Sequence, residues 1–224
     1  MALHPETPAE RALWWFFRGA LVWFARLWFA VRVEGLEHIP ADRPFILAPV
    51  HRSNVDFLVA LVCTKRRMRY LAKDTLWKPG WGRLFSALGG IPVARGTADR
   101  EALRACVEVI KMGEPLVVFP EGTRQEGPEV QELFDGPAFV QARTGAPIVP
   151  VGIGGSVQAM PKGAKTIHRV PIRLVIGPPL EAPVMASADG NRARRSAMRA
   201  QTARLKSEVQ ALFDQAQRDA GTPN

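Results

Sequence analysis

A histidine followed five residues later by an aspartate, His51 and Asp56, stands just after an apolar run, FILAP at 45–49. If the chain turns between them, the carboxylate can hydrogen-bond one imidazole nitrogen. That bond fixes the tautomer and raises the basicity of the other nitrogen. An imidazole held in this way is a general base, able to take a proton from an alcohol as its oxygen attacks an acyl carbon. Taken alone, the pair also fits a structural imidazole beside an aspartate that caps its own helix. Ser53 lies between the two but lacks the strained elbow setting of a serine nucleophile.

A second cluster is Phe119-Pro120-Glu121-Gly122-Thr123-Arg124. Gly122 permits a sharp turn or a close backbone approach, and Arg124 offers a rigid, permanently charged fork for a phosphate. Glu121 can anchor either an arginine or a substrate hydroxyl, and a salt-bridged surface turn is the plain alternative. A third cluster, Ile91 to Gly96, carries Arg95 after a short apolar run, in reach of the same phosphate. Lys73 is a weaker candidate of that kind.

These clusters need a scaffold that brings loop ends together. Short apolar runs at 31–34, 45–49, 68–72, 91–95, 116–120 and 147–153 read as strands. One or two more fall within 167–177, where Pro171 argues for an edge or a bend. Helical stretches are expected at 56–63, within 74–88 with a break near Pro79 and Gly80, at 98–112, at 131–143 and over 192–218. On the 98–112 helix, Ala102, Ala105, Val109 and Met112 share one side. The alternation predicts an α/β fold, a layered mixed β-sheet flanked by helices, with the polar clusters at strand ends.

The chain has 224 residues, 47% hydrophobic and 23% charged, with a net charge of +9. This is ordinary globular composition, and the positive charge suits anionic lipid or a phosphate-bearing substrate. A nucleic-acid partner is not expected: there is no recognition motif, and the arginines that open the C-terminal helix read as a solvated surface. Cys63 and Cys106 form no CxxC pair, His4, His38 and His168 are dispersed, and no metal is expected. Residues 11–30 carry Trp14, Trp15, Trp23 and Trp28 together with Arg11, Arg18 and Arg26. Arg18 would fall near mid-bilayer in a spanning helix, which is costly. An amphipathic helix lying at a membrane interface fits better, with its arginines toward lipid phosphates; an amphipathic helix packed on its own domain is the plain alternative. Residues 1–30 are therefore expected to form a membrane-associating segment and 31–224 the catalytic domain.

Order and spacing of the clusters resemble the glycerolipid acyltransferase family that includes the 1-acylglycerol-3-phosphate acyltransferases. The resemblance rests on HRSNVD at 51–56, GGIPVAR ending at Arg95, FPEGTR at 119–124 and IVPVGI at 148–153, and covers residues 45–155. Members often carry asparagine before the histidine, where this chain has Val50. The resemblance implies a one-step O-acyl transfer without a covalent acyl-enzyme. His51 would be the base, oriented by Asp56. Arg95 and Arg124 would hold the acceptor phosphate, with Glu121, Gly122 and Thr123 shaping that pocket. It further implies acyl-CoA or acyl-acyl carrier protein as donor, no other cofactor, and the sn-2 hydroxyl of 1-acylglycerol 3-phosphate as acceptor. The expected location is peripheral, on the cytoplasmic face of the cell membrane. Glycerol 3-phosphate, another lysophospholipid or a glycolipid could replace the acceptor under the same chemistry. A non-catalytic lipid-binding protein would explain the N-terminal helix but not the ordered clusters.

Overall fold

The computed structural model describes residues 7–77, 82–93, 100–183 and 190–222. Among these, seven strands form one mixed sheet in the order β1-β7-β6-β2-β5-β3-β4. The strands are β1 (Arg32–Glu34), β2 (Ile46–Pro49), β3 (Arg69–Lys73), β4 (Gly90–Val93), β5 (Leu116–Val117), β6 (Ile148–Gly154) and β7 (Arg173–Ile176). All neighbouring pairs run parallel except β6 and β7. The helices are α1 (Pro8–Trp28), α2 (Asp56–Ala60), α3 (Gly82–Ala87), α4 (Arg100–Lys111), α5 (Gly136–Thr144), α6 (Ser156–Ala159) and α7 (Asn191–Asp219). Every residue of β2 and β6 is buried, as expected of strands covered on both faces.

Several elements differ from the sequence reading for identifiable reasons. The helix expected over 56–63 is regular only to Ala60 and continues as a turn through Cys63. The α4 face that enters the core is Cys106, Val109 and Ile110, whereas Met112 lies past the helix end and is 40% exposed. Of the side expected to face the core, Val109 is buried and Ala105 packs against the core in part. Helix α5 starts at Gly136, with Pro137 in its first turn, because proline is pre-set for that position. The bend expected at Pro171 leaves a single strand, β7, after it. This strand is interior, between β1 and β6. Both cysteines are buried in apolar surroundings, and burial pushes their thiols up to about 12.

Helix α1 opens with a capping box: the Thr7 hydroxyl accepts from the Glu10 N–H, and the Glu10 carboxylate accepts from the Thr7 N–H. Trp14 and Ala25 are buried against the domain, while Phe16, Trp23 and Leu27 are exposed. The expected orientation of the arginines is corrected at one position. Arg18 turns toward the domain and donates to the carbonyls of Leu61 and Thr64. No described helix is long and apolar enough to cross a membrane.

The C-terminal helix is polar overall, yet Leu205, Val209, Phe213 and Ala216 make one buried stripe along it. That stripe lies on β6 at very short range. A Cβ built on Gly152 would stand 2.2 Å from the Leu212 carbonyl oxygen, and one on Gly154 would stand 2.0 Å from that of Ala216. The two glycines are two residues apart, so they share one face of the strand. Only a side-chain-free strand face allows this approach. Gly154→Ala should therefore lower stability by about 3 kcal/mol or more, since backbone cannot move aside as a side chain can. Urea unfolding with an unchanged midpoint would contradict this packing.

Candidate active site

The site forms where the parallel neighbours β2 and β5 release their carboxyl ends. Open α/β sheets gather ligand-binding loops at this edge. Val50 prolongs β2 by donating its N–H to the Val151 carbonyl, and its side chain is wholly buried. An asparagine there would face the core, so valine suits the packing this chain has.

After Val50 the chain turns through residues 51–55 and enters α2 at Asp56. The two predicted residues meet: His51 Nδ1 is 2.9 Å from Asp56 Oδ2. The same oxygen accepts the N–H groups of Arg52 and Ser53, each at 2.7 Å. Three donors on one oxygen fix the carboxylate and hence the imidazole plane. His51 is 4% exposed and Asp56 not at all. Phe119 lies along the imidazole with ring centroids 4.1 Å apart, and Phe57 meets it edge-on at 5.5 Å. The Ser53 hydroxyl donates to the Met160 carbonyl at 2.7 Å, so it is engaged in holding the loop.

Glu121 is buried, and of the two roles open to it in the sequence the structure selects an arginine partner. Arg52 Nη1 donates to both of its oxygens at 2.7 Å, and the His51 N–H reaches Oε1 at 3.0 Å. The Gln131 N–H donates to Oε2 at 3.2 Å. Arg52 also donates to the carbonyls of His51 and Glu129 and lies over the Phe213 ring of α7, 5.0 Å from its centroid. The pair joins the loop after β2 to the loop after β5.

Gly122 has φ +70, which favours glycine, and a Cβ there would meet the exposed Phe134 ring at 2.7 Å. Thr123 is exposed and Arg124 half-buried. The Gln125 N–H donates to the His51 carbonyl at 2.9 Å, which sets Arg124 one residue from the His51 backbone. Among the described residues Arg124 makes no hydrogen bond or ion pair. Arg95 lies outside the described residues, and Lys73 ends β3. No group of three metal-ligating side chains is found among the described residues.

Arg52 is the residue that sequence reasoning missed. Its signal was available: a glutamate set between proline and glycine at the end of an apolar strand is apt to be buried, and a buried carboxylate needs a cation. The aromatic walls Phe57 and Phe119 were also overlooked, although both adjoin the motif residues.

With this geometry, His51 can hold a proton on Nδ1 against Asp56 and present Nε2 as an acceptor. In ¹⁵N-resolved imidazole spectra of the neutral form, His51 should carry its proton on Nδ1, and Asp56→Asn should weaken or reverse that preference. A wild-type proton on Nε2 would contradict this arrangement.

The acyltransferase family model matches residues 30–154. A chloroplastic 1-acyl-sn-glycerol-3-phosphate acyltransferase of Brassica napus is 27% identical over 169 residues, covering 70% of this chain and 49% of the relative. The 1-acyl-sn-glycerol-3-phosphate acyltransferase of Bacillus subtilis is 28% identical over 152 residues, covering 67% of this chain and 73% of the relative. The chain spans about half the length of the chloroplastic relatives it matches. The crystal structure of the 1-acyl-sn-glycerophosphate acyltransferase PlsC from Thermotoga maritima superposes with a TM-score of 0.65 at 28% identity. It covers 89% of this chain and 79% of that one.

Proposed function

The chain belongs to the acyltransferase family, and from that premise we propose that it moves a fatty acyl group from a thioester donor to the sn-2 hydroxyl of 1-acylglycerol 3-phosphate. The observation that carries this reading is the buried His51–Asp56 pair at 2.9 Å, with the Gln125 N–H bonded to the His51 carbonyl and the adjoining Arg124 making no hydrogen bond or ion pair among the described residues. The names of the relatives support the choice of acceptor.

In this reading His51 Nε2 takes the proton of the glycerol hydroxyl as its oxygen attacks the thioester carbonyl carbon. Asp56 stabilises the imidazolium that forms. The tetrahedral oxyanion collapses, the carbon–sulfur bond breaks, and the thiolate recovers the proton from His51. The donor is acyl-CoA or acyl-acyl carrier protein. Arg124 and Arg95 bind the acceptor phosphate through their planar forks. Gly122 and Thr123 shape the approach. Glu121 acts behind them by holding Arg52.

Residues 1–30 form the membrane-interface segment and residues 31–224 the catalytic domain, placed on the cytoplasmic face of the cell membrane. Phe16 is 72% exposed and Trp23 66%, and with Leu27 they make an apolar stripe at helical spacing. Such a stripe lies in the acyl boundary of a bilayer, while Arg11 and Arg26 stay near the headgroups. An enzyme seated there receives lysolipid without drawing its chain through water.

In mixed micelles with palmitoyl-CoA or oleoyl-CoA, the wild type should acylate 1-acylglycerol 3-phosphate. His51→Ala should lower kcat by about 10²–10⁴-fold, and Arg124→Ala should raise KM for the acceptor with little change for the donor. Equal turnover of a phosphate-free lysolipid, or full activity in His51→Ala, would overturn the reading.

A further inference from the structure

Arg18 reaches from α1 into the catalytic domain. Its guanidinium carbon lies 5.7 and 5.8 Å from the ring centroids of Trp14 and Trp15. Nη2 donates to the Leu61 carbonyl at 3.1 Å and to the Thr64 carbonyl at 2.6 Å. Leu61 caps the carboxyl end of α2, and Thr64 lies in the turn that follows. Helix ends leave carbonyls without partners and carry partial negative charge, so a guanidinium there satisfies both hydrogen bonding and charge. Burial lowers the Arg18 pKa, but a guanidinium keeps its charge.

The far end of α2 begins with Asp56. The segment is a single helical turn with Val59 and Ala60 buried, so it moves as one piece. Phe57, the residue after Asp56, meets the His51 ring at 5.5 Å. Through α2 the helix with the exposed apolar stripe is joined to the proposed base and its carboxylate.

We propose that Arg18 is a positioning residue: by clamping the carboxyl end of α2 it fixes the lipid-facing helix α1 relative to the His51–Asp56 pair. This rests on the functional reading given above for His51 and α1. It separates Arg18 from Arg11 and Arg26, which serve charge attraction to lipid. Removing the clamp should leave membrane binding intact and misplace the base, and misplacements of about 1 Å can cost about 10²-fold in rate.

The test compares wild type, Arg18→Gln, Arg18→Lys and Arg26→Gln, with His51→Ala as the inactive reference. Vesicles of phosphatidylcholine and phosphatidylglycerol carry the lysolipid acceptor. Arg18→Gln should sediment with vesicles as wild type does. Its kcat should fall about tenfold or more with KM for acyl-CoA unchanged, and the amides of 56–64 should exchange hydrogen faster. Arg18→Lys keeps the charge but shortens the reach of the one nitrogen that makes both bonds, and should fall between. Arg26→Gln removes the same charge from an exposed position of the same helix; vesicle binding should weaken, and kcat measured at saturating vesicles should stay within about twofold.

If Arg18→Gln fails to fold, an Arg18→Lys kcat below that of Arg26→Gln supports the clamp, and equality overturns it. Wild-type kcat and exchange in Arg18→Gln also overturn it. So does an equal loss of kcat in Arg26→Gln at saturating vesicles. Should the wild type show no more transfer than His51→Ala, the functional reading falls, while exchange over 56–64 still decides the clamp.

Discussion

An arginine and a glutamate with no exposed side-chain surface, Arg52 and Glu121, hold together the two loops on which everything else depends. Such a pair is not a strong source of stability, because desolvating two ions offsets much of their attraction. What it supplies is register. Glu121 takes donors from His51, Arg52 and Gln131, so the loop after β5 cannot shift without moving the backbone of His51. Arg52 extends the link to α7 through the Phe213 ring. The helix that seals β6 and the loop that carries the imidazole are thereby part of one assembly. The same loop closure brings Arg124 beside His51 while leaving its charge unneutralised among the described residues, which is the condition for binding an anion.

Around this centre the molecule divides its charges by task. Arg52 is consumed internally. Arg18 is spent on the end of α2. Arg124 is left, among the described residues, for the proposed acceptor phosphate. Three arginines with the same side chain thus differ in role because they differ in what lies within hydrogen-bond reach, and the net charge of +9 could not have distinguished them. The aromatic residues divide similarly: Trp14 is buried against the domain, whereas Phe16 and Trp23 face outward.

The α/β class was legible because buried strands write themselves as short apolar runs between turns, and β2 and β6 lie where those runs predict. The His51–Asp56 contact was legible because its spacing is local and a helix begins at the aspartate. The Arg52–Glu121 pair was not, since its partners are 69 residues apart and only the adjacency of β2 and β5 unites them. The orientation of Arg18 was hidden for a related reason. Helical periodicity groups it with Arg11 and Arg26, but which side of a helix meets the domain is decided by tertiary contacts. The interior place of β7 likewise depends on strand order, which local pattern does not encode.

The most direct measurement is a double-mutant cycle on Arg52 and Glu121, reading unfolding free energy and kcat side by side. Arg52→Met and Glu121→Met should each cost about 3–5 kcal/mol by leaving a buried charge unpaired, and the double variant should recover most of that stability. Positioning by the ion pair predicts that kcat does not recover with it. A double variant as active as wild type, or single losses in stability that simply add, would show that the two loops find their register without this pair.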